Sequence, residues 1–311
     1  MSWPVDRALY LPQTWSRDRE RRAEAHVPVE LAFATKPALA MHMLDRASAA
    51  GVPFGWVTGD CVYGRDRQLR QWLEQRRRPY VLGVQSTTLL AQDRHWAILA
   101  KIIAQEIPPE QWQRLSAGDG AQGPRWFDWA WQQVWWEPTG DDAVAWGQWL
   151  LVRRSVKDPS DLSYYVVFAP RVGTTLVDVS TVAGARWRIE DSFESAKGEC
   201  GLDEYEVRTW DAWHRHITLA LLAHAFLNVM RSQTAEKGAL APRSCCRSRC
   251  RRFAGSSGSW CGRSRRRVNT SWRGHDGAAG TSSEPNVVMR VGGLWPLLEK
   301  CTWIAIQPSQ A

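Results

Sequence analysis

The stretch FGWVTGD, residues 54–60, is an apolar run that stops on a carboxylate. Such a run reads as a buried strand that delivers a side chain to its C-terminal edge. Its neighbours alternate in kind. VDRALYL (5–11) reads as a short strand closed by Pro12, and a charged helix is expected near 17–25. From Lys36 to Ala50, Leu39, Met43, Leu44 and Ala47 return at helical spacing until Gly51 and Pro53 stop the helix. Asp66 to Arg76 is helical with Leu69, Trp72 and Leu73 inward, and YVLGV (80–84) is the next strand. Strand–helix–helix–strand alternation constrains the chain to a three-layer α/β unit, with helices covering a sheet.

The 311 residues are 44% apolar and 23% charged, which suffices for a core in two or three compact parts and excludes wholesale disorder. No run of eighteen apolar residues is present, and MSWPVDRALYLPQ lacks a basic segment followed by an apolar one, so neither a membrane span nor a secretion signal is expected. Seven unevenly placed cysteines do not form a disulfide framework. The expected setting is cytoplasmic, nucleoid-associated if the protein meets DNA.

From about Gln85 to Ser163 the texture changes. A helix is expected around 95–106, and seven of the twenty tryptophans then fall between Trp126 and Trp149. RWFDWAW alternates aromatic and polar residues, and WGQWLLVRRSV with YYVVFAP suggests antiparallel pairing around TGDD and KDPSD. This is a mainly β insertion. Its tryptophans are read as core and cross-strand packing, with sugar or base stacking as the alternative.

In the helix expected from Val182 to Cys200, Ile189, Phe193, Ala196 and Cys200 make one apolar stripe. Arg186, Glu190 and Lys197 make a neighbouring stripe on the same side. A second helix, 210–231, turns Trp213, Ile217, Leu221 and Leu227 inward, and its His214, His216 and His224 are read as packing or solvent residues. The resulting parts are 1–84, 85–163, 164–234 and a tail, 235–311.

The net charge of +8 is confined to that tail, which holds 13 Lys+Arg against 4 Asp+Glu, while residues 1–234 balance at −1. Residues 243–267 contain nine Arg, six Ser and four Cys, with no helical or strand period. They read either as a basic nucleic-acid arm or as a GC-rich gene translated out of frame. Cys245, Cys246, Cys250 and Cys261 suit a solvated arm poorly and favour the second reading, with the tail disordered.

Asp60 at a strand end and Glu190 on a helix are the carboxylates that divalent-metal phosphoryl transfer requires. Spacing alone also allows a helix cap at Asp60 and an Arg186–Glu190 ion pair. VTGDCVYGRDRQLRQWLEQRRRPYVLGV resembles the stretch around the second catalytic Asp of DDE-class insertion-sequence transposases. ARWRIEDSFESAKGECGLDEYEVRTWDAWHRHITLALLAHAFL resembles the segment holding their third acidic residue, whose signature is Tyr-x2-Arg-x3-Glu-x6-Lys. Arg186, Glu190 and Lys197 match it in register, and Ala183 stands at the Tyr position. DRALYLPQTW also looks like these transposases, and the resemblance spans residues 3–234.

The resemblance implies an RNase H-like three-layer core of α/β (α+β) class, interrupted by the β insertion. It implies Asp60 and Glu190 as ligands of two Mg²⁺ or Mn²⁺ ions, and Arg186 and Lys197 as residues that meet DNA phosphate or order the site. The partners it implies are transposon-end DNA and a second copy, either a homodimer or an intact transposase. The family's first catalytic Asp lies on strand 1 of a sheet ordered 3-2-1-4-5. Residues 1–12 correspond to strand 3, so the core is expected to be incomplete at its N-terminus, without strands 1 and 2, and Asp6 is no substitute. The expectation is an inactive remnant of a transposase that cuts and joins DNA. The alternatives are a non-catalytic DNA-binding or self-associating fragment, and a Trp-rich carbohydrate-binding protein, which leaves the Arg186–Glu190–Lys197 pattern unexplained.

Overall fold

The structure is a computed structural model that describes residues 3–120, 123–136, 145–239, 286–291 and 301–307. Its strands are β1 (Trp3–Leu9), β2 (Trp56–Gly59), β3 (Tyr80–Val84), β4 (Leu89–Ala91), β5 (Ala97–Leu99), β6 (Gln113–Gly120), β7 (Gly123–Val134), β8 (Trp146–Ser155), β9 (Leu162–Pro170), β10 (Asn286–Val291) and β11 (Cys301–Gln307). Its helices are α1 (Gln13–Arg17), α2 (Arg19–Glu24), α3 (Lys36–Ala49), α4 (Cys61–Gly64), α5 (Arg67–Gln75), α6 (Ala100–Gln105), α7 (Leu176–Cys200) and α8 (Trp210–Ala239). The chain divides into two compact units, residues 1–225 with 281–311, and residues 226–280. The sheet and both candidate carboxylates belong to the first.

Among the described residues the main sheet has nine strands in the order β1-β11-β10-β2-β3-β9-β8-β7-β6. β10, β2 and β3 run parallel, and every other neighbouring pair is antiparallel. All five residues of β3 are buried, as a strand covered on both faces demands. On one face Tyr80, Leu82, Leu150, Val166 and Phe168 pack with Met43 and Leu44 of α3 and Leu69 and Leu73 of α5. On the other, Val81, Leu151 and Val167 pack with Leu176, Val179, Val182 and Ala183 of α7. The result is a mixed α/β, RNase H-like fold in three layers.

Three expectations change. The sheet does not lack its centre: β10 and β11 lie between β1 and β2, where strands 1 and 2 of the 3-2-1-4-5 order belong. β11 is antiparallel to β1 and to β10, and β10 is parallel to β2, so β1 has its neighbour. The reading of the whole 235–311 tail as disordered is therefore corrected at 286–291 and 301–307, where paired backbone satisfies the sheet's donors and acceptors. The Arg- and Cys-rich stretch 243–267 lies outside the described residues. The β insertion, for its part, is no separate layer, because β9 pairs with β3 and the meander β9-β8-β7-β6 prolongs the same sheet. Several of its tryptophans pack: Trp129 is fully buried, Trp131 stacks on Trp149 at 5.2 Å and Trp146 stacks on Phe168 at 4.8 Å, whereas Trp96 and Trp126 are exposed.

Candidate active site

Asp60 follows the last residue of β2 and caps α4, its Oδ1 accepting the Val62 N–H at 2.8 Å. Glycines make this turn possible. A Cβ on Gly64 would overlap the Gly83 carbonyl oxygen, and one on Gly83 would stand 3.3 Å from the Asp60 carbonyl carbon. The α4 turn thus lies backbone to backbone against β3, and Tyr63, fully buried, fills the space beneath it. Asp60 is held at the sheet's edge by packing as well as by its cap.

Glu190 comes from α7, whose start is set by a capping box between Thr175 and Asp178 and whose end is set by Gly201 at φ +60°. The helix packs across β6, β3, β2 and β10. Gly184 allows contact with the backbone of Ala117 in β6. Arg125 fastens the crossing by donating from Nη2 to the Ala117 carbonyl at 2.6 Å and to the Gly184 carbonyl at 3.0 Å. Ile189, Phe193 and Ala196, the apolar stripe of the sequence, are buried against Trp213 and Ile217 of α8.

Glu190 is paired within its own helix. Arg186 Nη1 donates to Glu190 Oε1 at 3.1 Å. Burial raises the Cys61 thiol pKa, with Asp60 adding to the rise and Arg186 opposing it. Arg186 thus pairs with Glu190 and also bears on Cys61, the residue after Asp60. On the far side of Glu190, Asp191 is raised by burial first, then by Glu194, while Arg125 and Arg188 oppose the rise. Lys197 lies apart. Seven residues beyond Glu190 it is about 10 Å further along the helix axis, and its ammonium is 3.9 Å from Asp203.

Other acids do not complete the set. Asp6 receives Arg46 of α3 at 2.8 Å, which engages it on the α3 face of the sheet, whereas Glu190 rides on the helix covering the opposite face. β10, in the central position, reads NVVMRV and carries no carboxylate. Among the described residues no group of three His, Cys, Asp or Glu is placed to hold a metal ion. His214 sits between the rings of Trp210 and Trp213, and His216 contacts the Gly201 carbonyl. Sequence reasoning missed the Arg125 clasp. The Gly59, Gly64 and Gly83 spacing was the available signal for the close turn.

A sheet of this order, with one carboxylate ending a central strand and another on the covering helix, has the architecture of an RNase H-like DDE domain. Residues 1–100 match a family model described as DDE superfamily endonuclease, a stretch that includes Asp60 and ends before Glu190. That match supports a transposase- or endonuclease-type protein with DNA as substrate. No curated protein matches the chain. Among the described residues no helix is long and apolar enough to cross a membrane.

Proposed function

We propose that this chain is an insertion-sequence transposase of DDE type that engages transposon-end DNA but does not cut it. The observation that carries this reading is the placement of Asp60 at the end of β2 and of Glu190 on α7, which packs on β2, two chain segments 130 residues apart. In it Asp60 and Glu190 are the metal ligands, and Arg186 and Lys197, about three turns apart on the helix, meet DNA phosphates.

Hard carboxylate oxygens suit Mg²⁺ or Mn²⁺ in kind. In number they fall short, since a two-ion site clamps both the attacking and leaving oxygens of an in-line displacement. The strand in the central position brings no acid and Asp6 is engaged on the other face, so no chemical step is assigned to this chain. A supercoiled-plasmid assay with Mg²⁺ or Mn²⁺ tests the reading. The expected outcome is DNA binding that weakens steeply with salt and leaves the plasmid intact. Metal-dependent nicking that disappears in Asp60→Ala or Glu190→Ala would refute the inactivity, and nicking unaffected by either would refute the site.

A further inference from the structure

A cavity of about 240 Å³ opens between α3 and α5, lined by Leu44, Asp45, Ser48, Phe54, Trp72, Leu73, Arg76 and Arg78. Phe54 precedes β2, whereas Asp60 follows it, so this cavity lies at the opposite end of the strand from the candidate active site. Two guanidiniums and two aromatic rings frame it. Arg76 stands 4.0 Å over the Trp72 ring and Arg78 stands 4.8 Å over the Phe54 ring. Arg76 also meets Asp45 at 3.6 Å, with both side chains about half exposed. Arg78 is half-buried, and its guanidinium has only its ring contact, with no hydrogen bond or ion pair to a described residue.

The surrounding chain is basic in a way the overall balance of residues 1–234 conceals. Residues 65–78 carry six arginines against Asp66 and Glu74. Glu74 is turned to other work, accepting hydrogen bonds from Tyr80, Gln148 and Trp136. A cationic pocket with a partly desolvated guanidinium lacking an acceptor is completed by an anion whose oxygens match the planar fork. Trp72, partly exposed, adds an aromatic surface that a flat ring can meet beside that anion, whereas Phe54 is buried beneath Arg78.

We propose that this cavity binds the phosphate of a nucleotide, with Arg78 and Arg76 as its donors and Asp45 as the internal anion that the phosphate displaces. The phosphate is either that of a free nucleotide or one within single-stranded DNA. The site is independent of the carboxylates and stands whether or not they hold a metal.

Calorimetry with thymidine 5′-monophosphate and fluorescence anisotropy with a labelled twelve-nucleotide single strand, both on the full chain, separate the two sources. Arg78→Gln is expected to weaken binding about tenfold, the worth of one charge-assisted contact. Asp45→Asn is expected to tighten it about threefold, because a competing surface charge is removed. An effect on the mononucleotide assigns a free-nucleotide site, and an effect confined to the oligonucleotide assigns a DNA contact. Binding that neither substitution changes, or the absence of binding by the wild-type chain, overturns the proposal. Should Arg78→Gln fail to fold, Asp45→Asn and Arg76→Gln at the exposed rim read the same cavity.

Discussion

Gly64→Ala probes the device that holds Asp60 in place. The added methyl would overlap the Gly83 carbonyl oxygen and stand 2.8 Å from its carbon and 3.1 Å from Val84 Cγ1. The first two atoms are backbone of β3, which is hydrogen-bonded to β2 on one side and β9 on the other, so no rotamer change relieves the clash. Overpacking costs about 1–3 kcal/mol, and a clash between two backbones belongs at the upper end, about 3 kcal/mol. For a unit of this size that corresponds to a fall in Tm of roughly 6–12 °C. The displacement also reaches Asp60, whose carbonyl accepts the Gly64 N–H at 3.0 Å. Gly198→Ala is the control: its Cβ meets nothing within 4 Å, and replacing a helical glycine should stabilise by about 0.5–1 kcal/mol. Urea and thermal unfolding followed by circular dichroism measure both. A Gly64→Ala protein within about 0.5 kcal/mol of wild type would refute the close approach of α4 and β3.

Two further outcomes follow from buried polar groups. Burial pushes the His214 imidazole below its usual 6.5, so the folded state prefers it neutral. Its contribution is complete above pH 6.5 and declines as pH falls from there toward the folded pKa, because the unfolded chain then binds the extra proton. His214→Gln should flatten that part of the Tm-against-pH curve, and an unchanged slope would contradict the assignment. Glu74 Oε1 accepts the buried Tyr80 hydroxyl at 2.7 Å and the Gln148 amide at 3.2 Å, while Oε2 accepts the Trp136 indole N–H at 3.2 Å. Glu74→Ala strips partners from all three and should cost about 2–3 kcal/mol in urea unfolding; a loss under about 1 kcal/mol would show that the network contributes little.

Local pattern carried much of the fold. The α3 stripe of Met43 and Leu44, the α5 stripe of Leu69 and Leu73 and the fully buried YVLGV strand were all legible, because each element's period reports which face meets the core. Long-range pairing was not. NVVMRV and CTWIAIQ lie beyond a stretch of arginine and cysteine without period, and nothing local says that a hairpin so late in the chain enters the sheet between β1 and β2. The joining of β9 to β3 was hidden for the same reason, since an antiparallel meander reads alike whether it stands alone or extends another sheet. At the site, Glu190 and its pairing with Arg186 followed from helical spacing and the family resemblance. The clasp of Arg125 on Ala117 and Gly184 depends on three elements meeting in space, which no spacing encodes. The even charge of residues 1–234 likewise hid the basic stretch 65–78, because opposite charges elsewhere cancelled it.

The proposed site requires Asp60 and Glu190 to face one shared position. Mn²⁺ titration monitored by electron paramagnetic resonance on wild type, Asp60→Asn, Glu190→Gln and the double variant tests it as a double-mutant cycle. The expected result is one weakly held ion per chain, lost to a similar degree in each single variant, with the double variant no weaker than either. Residues that share one ligand couple in this way, whereas distant ones add. Additive losses, or an ion indifferent to both substitutions, would place the two carboxylates apart and contradict the site.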